Sequence, residues 1–378
     1  MTNPKLFNSD YLLHLCQKYG LKPGKKYGQN YLLDAEVVET MVMAAEVSKK
    51  DTIVEVGPGF GVLTFALAEK AGKVVAFEIE KKLQDYWAPF CHPERGETES
   101  KDPLRSERQG ISPLATLGRN DRVENLEIIW GNVLKEFSCH PRVPCHPGPV
   151  FQRGKLSRDL DIQLKKDSGF RRNDSAECLN DEYKVVANLP YQITSNVIRV
   201  FLEAENQPST MTLMVQKEVA ERICAKPGDM SLLALSVQYY ADPEIIAQVP
   251  RTLFWPEPAV DSAIIKLTIR ERCHLERGGD ESRDPLKSER QGISPLVTLG
   301  RNDKCVQTGD FEKRFFHLVK AGFAQKRKLL IKNLLPIVGK EKKDQIKALF
   351  LQLGLSETVR AQELSLDQWK EIVKLLNC

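Results

Sequence analysis

Apolar residues recur along this chain in two patterns, short β-branched runs and longer stretches with helical spacing. A helix is predicted to begin after Asp34, because the residues that follow place an apolar stripe on one face. The stripe consists of Val37, Val38, Met41, Val42 and Ala45. Residues 62–71 predict a second helix, which Gly72 is expected to terminate. Strands are predicted at residues 51–56, 73–77, 126–130, 183–187, 211–215 and 263–269.

The alternation of these strands with helices predicts an α/β fold with a doubly wound, mainly parallel sheet. Ligands of such sheets bind beyond the carboxyl ends of the strands. From residue 311 to the end of the chain the pattern becomes helical. Binding and catalytic residues are therefore expected where the predicted strands end.

Two near-identical segments interrupt this pattern. Residues 102–121 and 284–303 differ at only two of twenty positions, lie 182 residues apart, and are rich in Arg, Ser, Gly, Asp and Pro. Architectural repeats recur in tandem with buried-face periodicity instead. A third stretch, residues 138–181, is similar in composition. We interpret residues 91–122, 138–181 and 272–308, approximately, as inserted loops or disordered segments.

Without these insertions the chain predicts two domains. Residues 1–271 would form the α/β domain, with the first two insertions inside it. Residues 272–308 would be an insertion that acts as a linker, and residues 309–378 a smaller helical domain. A length of 378 residues is sufficient for both to bury a core.

Composition indicates the cellular compartment of the protein and whether it binds a metal. No apolar run is long enough to cross a membrane, and the start lacks the apolar stretch of a secretion signal, so we expect a cytoplasmic protein with free thiols. Four of the six histidines directly follow a cysteine, which suggests zinc, but their spacing is irregular and the duplication explains their recurrence, so no metal is expected. They are His92, His140, His146 and His274.

A glycine turn follows the first predicted strand. It contains Gly57, Gly59 and Gly61, and Glu78 comes 21 residues after Gly57. Glycines permit a tight bend and close approach of a ligand, and an acidic residue at this distance can hold a ribose diol. The G-x-G-x-G form favours S-adenosylmethionine. A pyridine nucleotide, or glycines needed only for packing, remain alternatives here.

The motif Asn188-Leu189-Pro190-Tyr191 follows the fourth strand. It suits methyl transfer to an adenine amine, whose lone pair is delocalised into the ring and needs acceptors that hold both N–H groups. The Asn188 side-chain oxygen and a backbone carbonyl at the proline turn can accept, and Tyr191 can stack on the base. The alternative is a strand-ending turn with a core tyrosine.

With these motifs the sequence resembles the small-subunit ribosomal RNA adenine N6-dimethyltransferases, over nearly all residues outside the insertions. Residues 26–34, KYGQNYLLD, are similar to the family's Gly-Gln-Asn-Phe-Leu segment. Residues 254–262, FWPEPAVDS, are similar to its Phe-x-Pro-x-Pro-x-Val-x-Ser loop. The alternatives for these two segments are a helix lead with a buried tyrosine and a rigid loop packed by its own aromatics.

The resemblance implies a Rossmann-like, S-adenosylmethionine-dependent enzyme that dimethylates N6 of two adjacent adenines near the 3′ end of small-subunit (16S) rRNA. Asn188, Leu189, Pro190, Tyr191 and Phe254 would act at the target base. The cofactor site would comprise Asn30, Leu32, Gly57, Gly59, Gly61, Glu78, Asn132 and Asn188.

Asn132 departs from the family pattern. The family often carries Asp at this position, where it accepts a hydrogen bond from the adenine amine of the cofactor. The amide oxygen of Asn can still accept one. We therefore expect weaker cofactor binding at most.

The C-terminal part concentrates positive charge. Residues 311–350 contain 11 Lys and Arg against 3 Asp and Glu, within a chain of net charge +4. Lys326, Arg327 and Lys328 are expected to lie on a helix with an apolar face. A basic helical face can simply be solvated, but the resemblance implies an RNA phosphate-binding surface. The apolar face would comprise Phe315, Phe316, Leu318, Val319 and Phe323.

We therefore expect a monomeric enzyme of ribosome biogenesis whose partner is rRNA within an assembling small subunit. One alternative is a large-subunit rRNA adenine methyltransferase of the macrolide-resistance type, which has similar motifs. Another is a non-catalytic RNA- or DNA-binding assembly or transcription factor on the same fold. The intact motif at residues 188–191 argues against this second alternative.

Overall fold

The computed structural model describes residues 3–23, 30–91, 123–137, 182–204, 206–270 and 308–376. The three predicted insertions lie outside these residues except at their outermost positions, as do the four histidines considered for zinc and residues 26–29 of the N-terminal motif. The chain divides into two compact units, one of 1–224 with 240–269 and one of 225–239 with 270–378. The domain boundaries predicted from the sequence stay a prediction.

A seven-stranded sheet forms the centre of the first unit. The strands, in chain order, are β2 (Thr52–Val56), β3 (Lys73–Glu78), β4 (Leu126–Trp130), β5 (Tyr183–Asn188), β6 (Thr210–Gln216), β7 (Ala241–Val249) and β9 (Ser262–Ile269). Their order across the sheet is β4-β3-β2-β5-β6-β9-β7; the first five are parallel to one another, and β9 is antiparallel to both of its neighbours, β6 and β7. The predicted fold class is confirmed.

Helices and a small second sheet complete this unit. The two short strands β1 (Tyr31–Leu32) and β8 (Phe254–Trp255) pair antiparallel. The helices are α1 (Ser9–Lys18), α2 (Ala35–Ala44), α3 (Val62–Lys70), α4 (Gln84–Trp87), α5 (Val133–Glu136), α6 (Thr194–Leu202) and α7 (Lys217–Ile223), with 3₁₀ turns at Pro4–Phe7, Lys81–Leu83 and Arg251–Leu253.

Local sequence explains where α2 and α3 begin and end. Asp34 caps α2, since its carboxylate accepts a hydrogen bond from the Val37 amide at 2.9 Å. Helix α3 ends at Lys70, and Ala71 is already extended, so Gly72 is not the terminating cap that the sequence suggested. A Cβ on Gly72 would instead collide with the backbone carbonyl of Lys49, so close approach of two chain segments requires the glycine.

Strand β7 was not predicted from the sequence. It lies at the edge of the sheet, and its burial alternates poorly, with Asp242 and Glu244 exposed. Pro243 lacks a backbone donor, which edge strands tolerate. A register irregularity between Ile245 and Ala247 further obscures the alternation of apolar and polar positions.

The second unit is helical. Its elements are α8 (Leu232–Gln238), α9 (Thr308–Gly322), α10 (Leu330–Val338), α11 (Lys343–Gln352) and α12 (Leu366–Leu376), with 3₁₀ turns at Lys340–Lys342 and Ala361–Glu363. Phe315, Leu318 and Val319 are buried in its core, as predicted, beside Trp369 and the α8 residue Leu235. Among the described residues, no helix is long and apolar enough to cross a membrane.

Candidate active site

A cavity of about 420 Å³ opens where β2, β3 and β5 end. Because these strands are parallel neighbours, their carboxyl ends meet at one edge of the sheet, which is where the sequence predicted a ligand. The predicted residues that line the cavity are Asn30, Leu32, Gly57, Gly59, Glu78, Asn132, Asn188, Leu189, Pro190, Tyr191 and Phe254. The structure thus gathers residues that lie more than 200 positions apart in the chain.

The glycine turn after β2 is held by Glu78. Gly57 and Gly59 adopt positive φ values of 75° and 55°, which disfavour other residues. One oxygen of the Glu78 carboxyl accepts a hydrogen bond from the Gly59 amide at 3.1 Å, and the other accepts one from the Glu80 amide at 2.8 Å. Burial raises the pKa of Glu78, and these backbone donors oppose the rise.

Gly61 lies behind the cavity and does not line it. It precedes α3 with a φ of 87°, and a Cβ there would lie 2.6 Å from the Phe65 ring and 2.8 Å from Trp87. The indole N–H of Trp87 in turn donates to the Gly59 carbonyl at 3.0 Å. The structure therefore gives Gly61 a packing reason to be glycine, and Gly61 is separated from the cavity by residues that line it.

Sequence reasoning did not single out Glu55 as a site residue, although it lines the cavity. Burial raises the pKa of its carboxyl to about 8, and the charge of Glu78 adds to the rise while the nearby Thr64 hydroxyl opposes it. Among the described residues, neither Glu55 Oε2 nor Thr64 Oγ1 has a hydrogen-bond partner in good geometry. An acidic residue inside an otherwise apolar β-branched run, Ile53 to Val56, was the signal available.

Asn132 caps a helix in addition to lining the cavity. Its side-chain oxygen accepts a hydrogen bond from the Leu134 amide at 3.0 Å and so caps the short helix α5. A carbonyl oxygen has two lone pairs, so the cap leaves one acceptor position for a ligand.

The Asn188–Tyr191 motif forms a turn directly after β5. Asn188 is the last residue of the strand, and the Leu189 amide donates to the Met214 carbonyl at 3.3 Å. The Pro190 carbonyl accepts from the Ile193 amide at 3.1 Å and from the Thr194 hydroxyl at 3.4 Å. Both acceptor positions of the Pro190 carbonyl are therefore used within the turn, so the Leu189 carbonyl is the candidate backbone acceptor for a ligand.

Aromatic residues close one side of the cavity. The β1–β8 pairing aligns Leu32 with Phe254 and Tyr31 with Trp255. The Tyr31 ring stacks on Trp255 at 6.2 Å between centroids and contacts Phe60 at 5.3 Å. Tyr31 and Phe254 both line the cavity, so the N-terminal motif and the 254–262 loop build one wall together.

Lys326, Arg327 and Lys328 are exposed in the second unit, but the prediction that they lie on a helix is wrong. Helix α9 ends at Gly322, and the three basic residues follow in a turn before α10. Asn333 explains this ending, because its buried amide donates to the carbonyls of Gly322 and Gln325 at 2.6 and 3.1 Å. Carbonyls left open by the helix end are thus satisfied by a residue of α10.

Comparisons of sequence identify the family. The profile described as Ribosomal RNA adenine dimethylase matches residues 20–95 and 155–277. A ribosomal RNA small subunit methyltransferase A from Dehalococcoides mccartyi is 32% identical over 356 residues, 94% of this chain and 89% of that protein. The protein of the same name from Moorella thermoacetica is 32% identical over 366 residues, 96% of each chain. This chain belongs to the ribosomal RNA adenine dimethylase family.

Solved structures support the fold of this dimethylase family member. The 23S rRNA methyltransferase ErmE aligns with a TM-score of 0.54 at 20% identity, covering 92% of this chain and 99% of that one. A dimethyladenosine transferase from Plasmodium falciparum aligns with a TM-score of 0.53 at 19% identity, covering 91% and 96%. These structures agree with the predicted fold, and the sequence matches confirm the family predicted from the motifs, whereas the roles of individual residues stay predictions.

Proposed function

We propose that this protein transfers methyl groups from S-adenosylmethionine to N6 of two adjacent adenines near the 3′ end of small-subunit rRNA, during ribosome assembly in the cytoplasm. The proposal rests on one observation: Glu78 and the Asn188–Tyr191 motif line the same cavity. Membership of the dimethylase family supports it. The relatives from Dehalococcoides and Moorella are small-subunit enzymes by name, so the large-subunit alternative is not favoured.

The cavity fits the cofactor in size and in chemistry. A volume of about 420 Å³ lies in the range of small-molecule sites, and a Cβ on Gly57 would meet nothing within 4 Å, so the turn leaves a free cradle. Glu78, Asn132 and the glycine turn would hold the cofactor, with Asn30 and Leu32 at the cavity wall. When bound, S-adenosylmethionine supplies a methyl group activated by a sulfonium.

The residues at the end of β5 align the acceptor amine. Asn188 Oδ1 accepts one N–H of the adenine amine, and a backbone carbonyl accepts the other, which turns the nitrogen lone pair towards the methyl group. Leu189 supplies that carbonyl, because the Pro190 carbonyl already accepts two hydrogen bonds within the turn. Catalysis here consists of positioning.

Two aromatic residues hold the target base. Tyr191 lines the cavity beside the acceptor groups and stacks on the base that enters. Phe254, 4% exposed, lines the cavity from the loop of residues 254–262. An adenine taken out of its stack would thus enter an apolar slot that has polar acceptor groups at its bottom.

The basic turn of the second unit contributes phosphate contacts. Lys326, Arg327 and Lys328 are exposed and consecutive, as a site for a polyanionic backbone requires. We expect the protein to act as a monomer on rRNA within the assembling subunit.

The proposal is tested by incubating the protein with labelled S-adenosylmethionine and unmethylated small subunits, then mapping the label. Label on two adjacent adenines near the 3′ end is expected, and protein-free large-subunit rRNA should remain unlabelled. Asn188→Ala should lower turnover at least about 10²-fold, as loss of a positioned polar group does elsewhere. Asn8→Ala, which removes the cap of α1 outside the cavity, is the matched control. Normal turnover of Asn188→Ala would contradict the assigned role.

A further inference from the structure

We propose that Ser262 is a positioning residue that holds the Tyr191 ring in the orientation needed to receive the target base. The inference rests on the proposed function and deepens it. Ser262 lies 71 residues after Tyr191 in the sequence, at the end of the 254–262 loop. Its hydroxyl oxygen lies 2.8 Å from the Tyr191 hydroxyl oxygen, so one of the two groups donates a hydrogen bond to the other.

Ser262 is a rigid anchor. It is fully buried, and its backbone lies in β9 between two strands, opposite Gln216 of β6 and Val249 of β7. The preceding residue is fixed as well, because the Asp261 carbonyl accepts from the Lys217 amide at 3.0 Å and its carboxylate accepts from the Arg251 amide at 3.0 Å. A hydroxyl in this position has little freedom to follow a moving partner.

Tyr191, by contrast, sits in a turn after the end of β5 and is only partly buried. Its ring is tethered at the backbone end, and the hydrogen bond to Ser262 tethers the opposite end. Burial raises the pKa of the Tyr191 hydroxyl, and the charge of Asp261 adds to this rise, while the hydrogen bond with Ser262 opposes it. The tyrosine is therefore neutral at ordinary pH, and its hydroxyl can either donate to Ser262 or accept from it.

The same loop controls both aromatic residues of the site. Phe254 begins the loop and lines the cavity, while Ser262 ends it and holds Tyr191. Phe254 is itself fixed by pairing with Leu32. The spacing of Phe254 and Ser262 in this loop thus sets the distance between the rings of Phe254 and Tyr191, and the target base must enter between these two rings.

Loss of the hydrogen bond should affect turnover more than cofactor binding. A ring freed at one end samples tilted orientations, and a small misplacement of a bound reactant can cost up to about 10²-fold in rate. The residues proposed to hold S-adenosylmethionine keep their positions, because neither Glu78 nor Asn132 contacts Tyr191 or Ser262 through a hydrogen bond among the described residues.

A double-mutant cycle tests the inference. Ser262→Ala, Tyr191→Phe and the double variant are compared with the unmodified protein for kcat and KM on unmethylated small subunits and for the Kd of S-adenosylmethionine. Each single variant should lower kcat roughly 10-fold with an unchanged Kd for the cofactor. The double variant should be no slower than either single one, because both changes remove the same hydrogen bond. Ser262→Thr, which keeps the hydroxyl, should recover part of the rate.

Two controls separate positioning from general loss of buried hydroxyls. Tyr183→Phe removes a tyrosine hydroxyl that donates to the Asn206 carbonyl at 2.9 Å, and Thr212→Val removes a fully buried hydroxyl on β6. Both residues lie outside the cavity, and both variants should keep the normal kcat.

The outcomes distinguish a wrong role for Ser262 from a wrong proposed function. If the unmodified protein methylates small subunits but Tyr191→Phe keeps full kcat, or if the losses of the two single variants multiply, the role of Ser262 is wrong and the proposed function stands. Tyr191→Phe decides the matter even if Ser262→Ala fails to fold. An unmodified protein that transfers no methyl group to small subunits overturns the proposed function and this inference together.

Discussion

The Glu78 carboxyl and the Gly59 amide are joined by a hydrogen bond of 3.1 Å, which ties the end of β3 to the turn after β2. The acidic residue therefore shapes the glycine turn in addition to facing the cavity. Its second oxygen is occupied by the Glu80 amide, so the carboxyl is held at a fixed angle before any ligand arrives. Such pre-organisation lowers the entropic cost of binding.

Substitutions at two glycines of this turn should fail in different ways. Gly57→Ala places a methyl group in the open cradle, so cofactor affinity should fall at least about 10-fold, with about 1 kcal/mol of backbone strain from the positive φ. Gly61→Ala collides with Phe65 and Trp87, so the free energy of unfolding should fall by about 1–3 kcal/mol. Calorimetric titration and urea unfolding measure the two effects. Equal stability losses with equal affinities would contradict the separate roles.

The buried carboxyl of Glu55 should make the stability of the protein depend on pH. Its pKa rises from 4.5 to about 8 in the folded state, so the unfolded chain releases this proton at lower pH than the folded chain does. The contribution of Glu55 to stability is therefore complete below pH 4.5 and is lost as pH rises towards 8. Relative to Glu55→Gln, the unmodified protein should lose about 2 kcal/mol between roughly pH 5.5 and 7.5.

Urea unfolding of both proteins across this pH range measures the difference. Glu39→Gln, on the exposed side of α2, is the matched control and should run parallel to the unmodified protein. A constant difference between the unmodified protein and Glu55→Gln would show that Glu55 is already ionised in the folded state.

Asn132→Asp should strengthen cofactor binding. The substitution keeps an acceptor for the Leu134 amide, since Asn and Asp are equally good helix caps, and it replaces a neutral acceptor by a charged one. Charge-assisted hydrogen bonds are about twice as strong, so the Kd of S-adenosylmethionine should fall roughly 3–10-fold. Calorimetric titration checks this, with thermal unfolding of the apo protein as the control for the cap. An unchanged Kd would remove Asn132 from the cofactor contacts.

Replacing Lys326, Arg327 and Lys328 together by Ala should weaken binding to small subunits. Removing one interaction with a phosphate flattens the slope of log affinity against log salt by about one unit, so a change of up to about 3 is expected for the triple variant. The affinity for S-adenosylmethionine alone serves as the control and should not change. An unaltered salt slope would show that these residues form a solvated surface and do not contact phosphates.

The predicted insertions should be dispensable for methyl transfer. The family profile leaves out residues 96–154, and the ends of the first insertion are already joined, because the Val123 amide donates to the Phe90 carbonyl at 3.2 Å. The rings of Phe137 and Tyr183, which flank the second, lie 6.1 Å apart. The entropic cost of closing a loop changes by only about 0.6 kcal/mol per doubling of its length, so the fold should tolerate these long segments as well as short linkers in their place.

A chain with short Gly/Ser linkers in place of residues 91–122, 138–181 and 272–308 should fold, bind S-adenosylmethionine and methylate adenine. In the intact protein the same segments should be cut first by protease. If the shortened chain fails to fold with several linkers, or if these segments resist proteolysis, they are structural parts of the enzyme.

The sequence was informative wherever a β-branched run stopped at a polar residue. The ends of β3 at Glu78 and β5 at Asn188 follow that pattern, and parallel pairing then places both at one edge of the sheet. Local composition carried this information because each strand is buried on both faces.

Contacts between distant segments were beyond the reach of the sequence. The end of α9 at Gly322 depends on hydrogen bonds from Asn333, and the orientation of Tyr191 depends on Ser262. The glycine at position 72 is explained by Lys49 rather than by its own helix. In each case the deciding partner has no fixed spacing from the residue it constrains.

The placement of α8 has a consequence for synthesis of the chain. Met230, Ala234 and Leu235 belong to the core of the second unit, yet they are encoded between β6 and β7 of the first. The next helix of this core, α9, begins about 70 residues after α8 ends, so the apolar face of α8 is synthesised well before the helices that cover it. A gene fragment that begins at residue 309 would lack these three side chains. The second unit therefore cannot be complete until α12 has been synthesised.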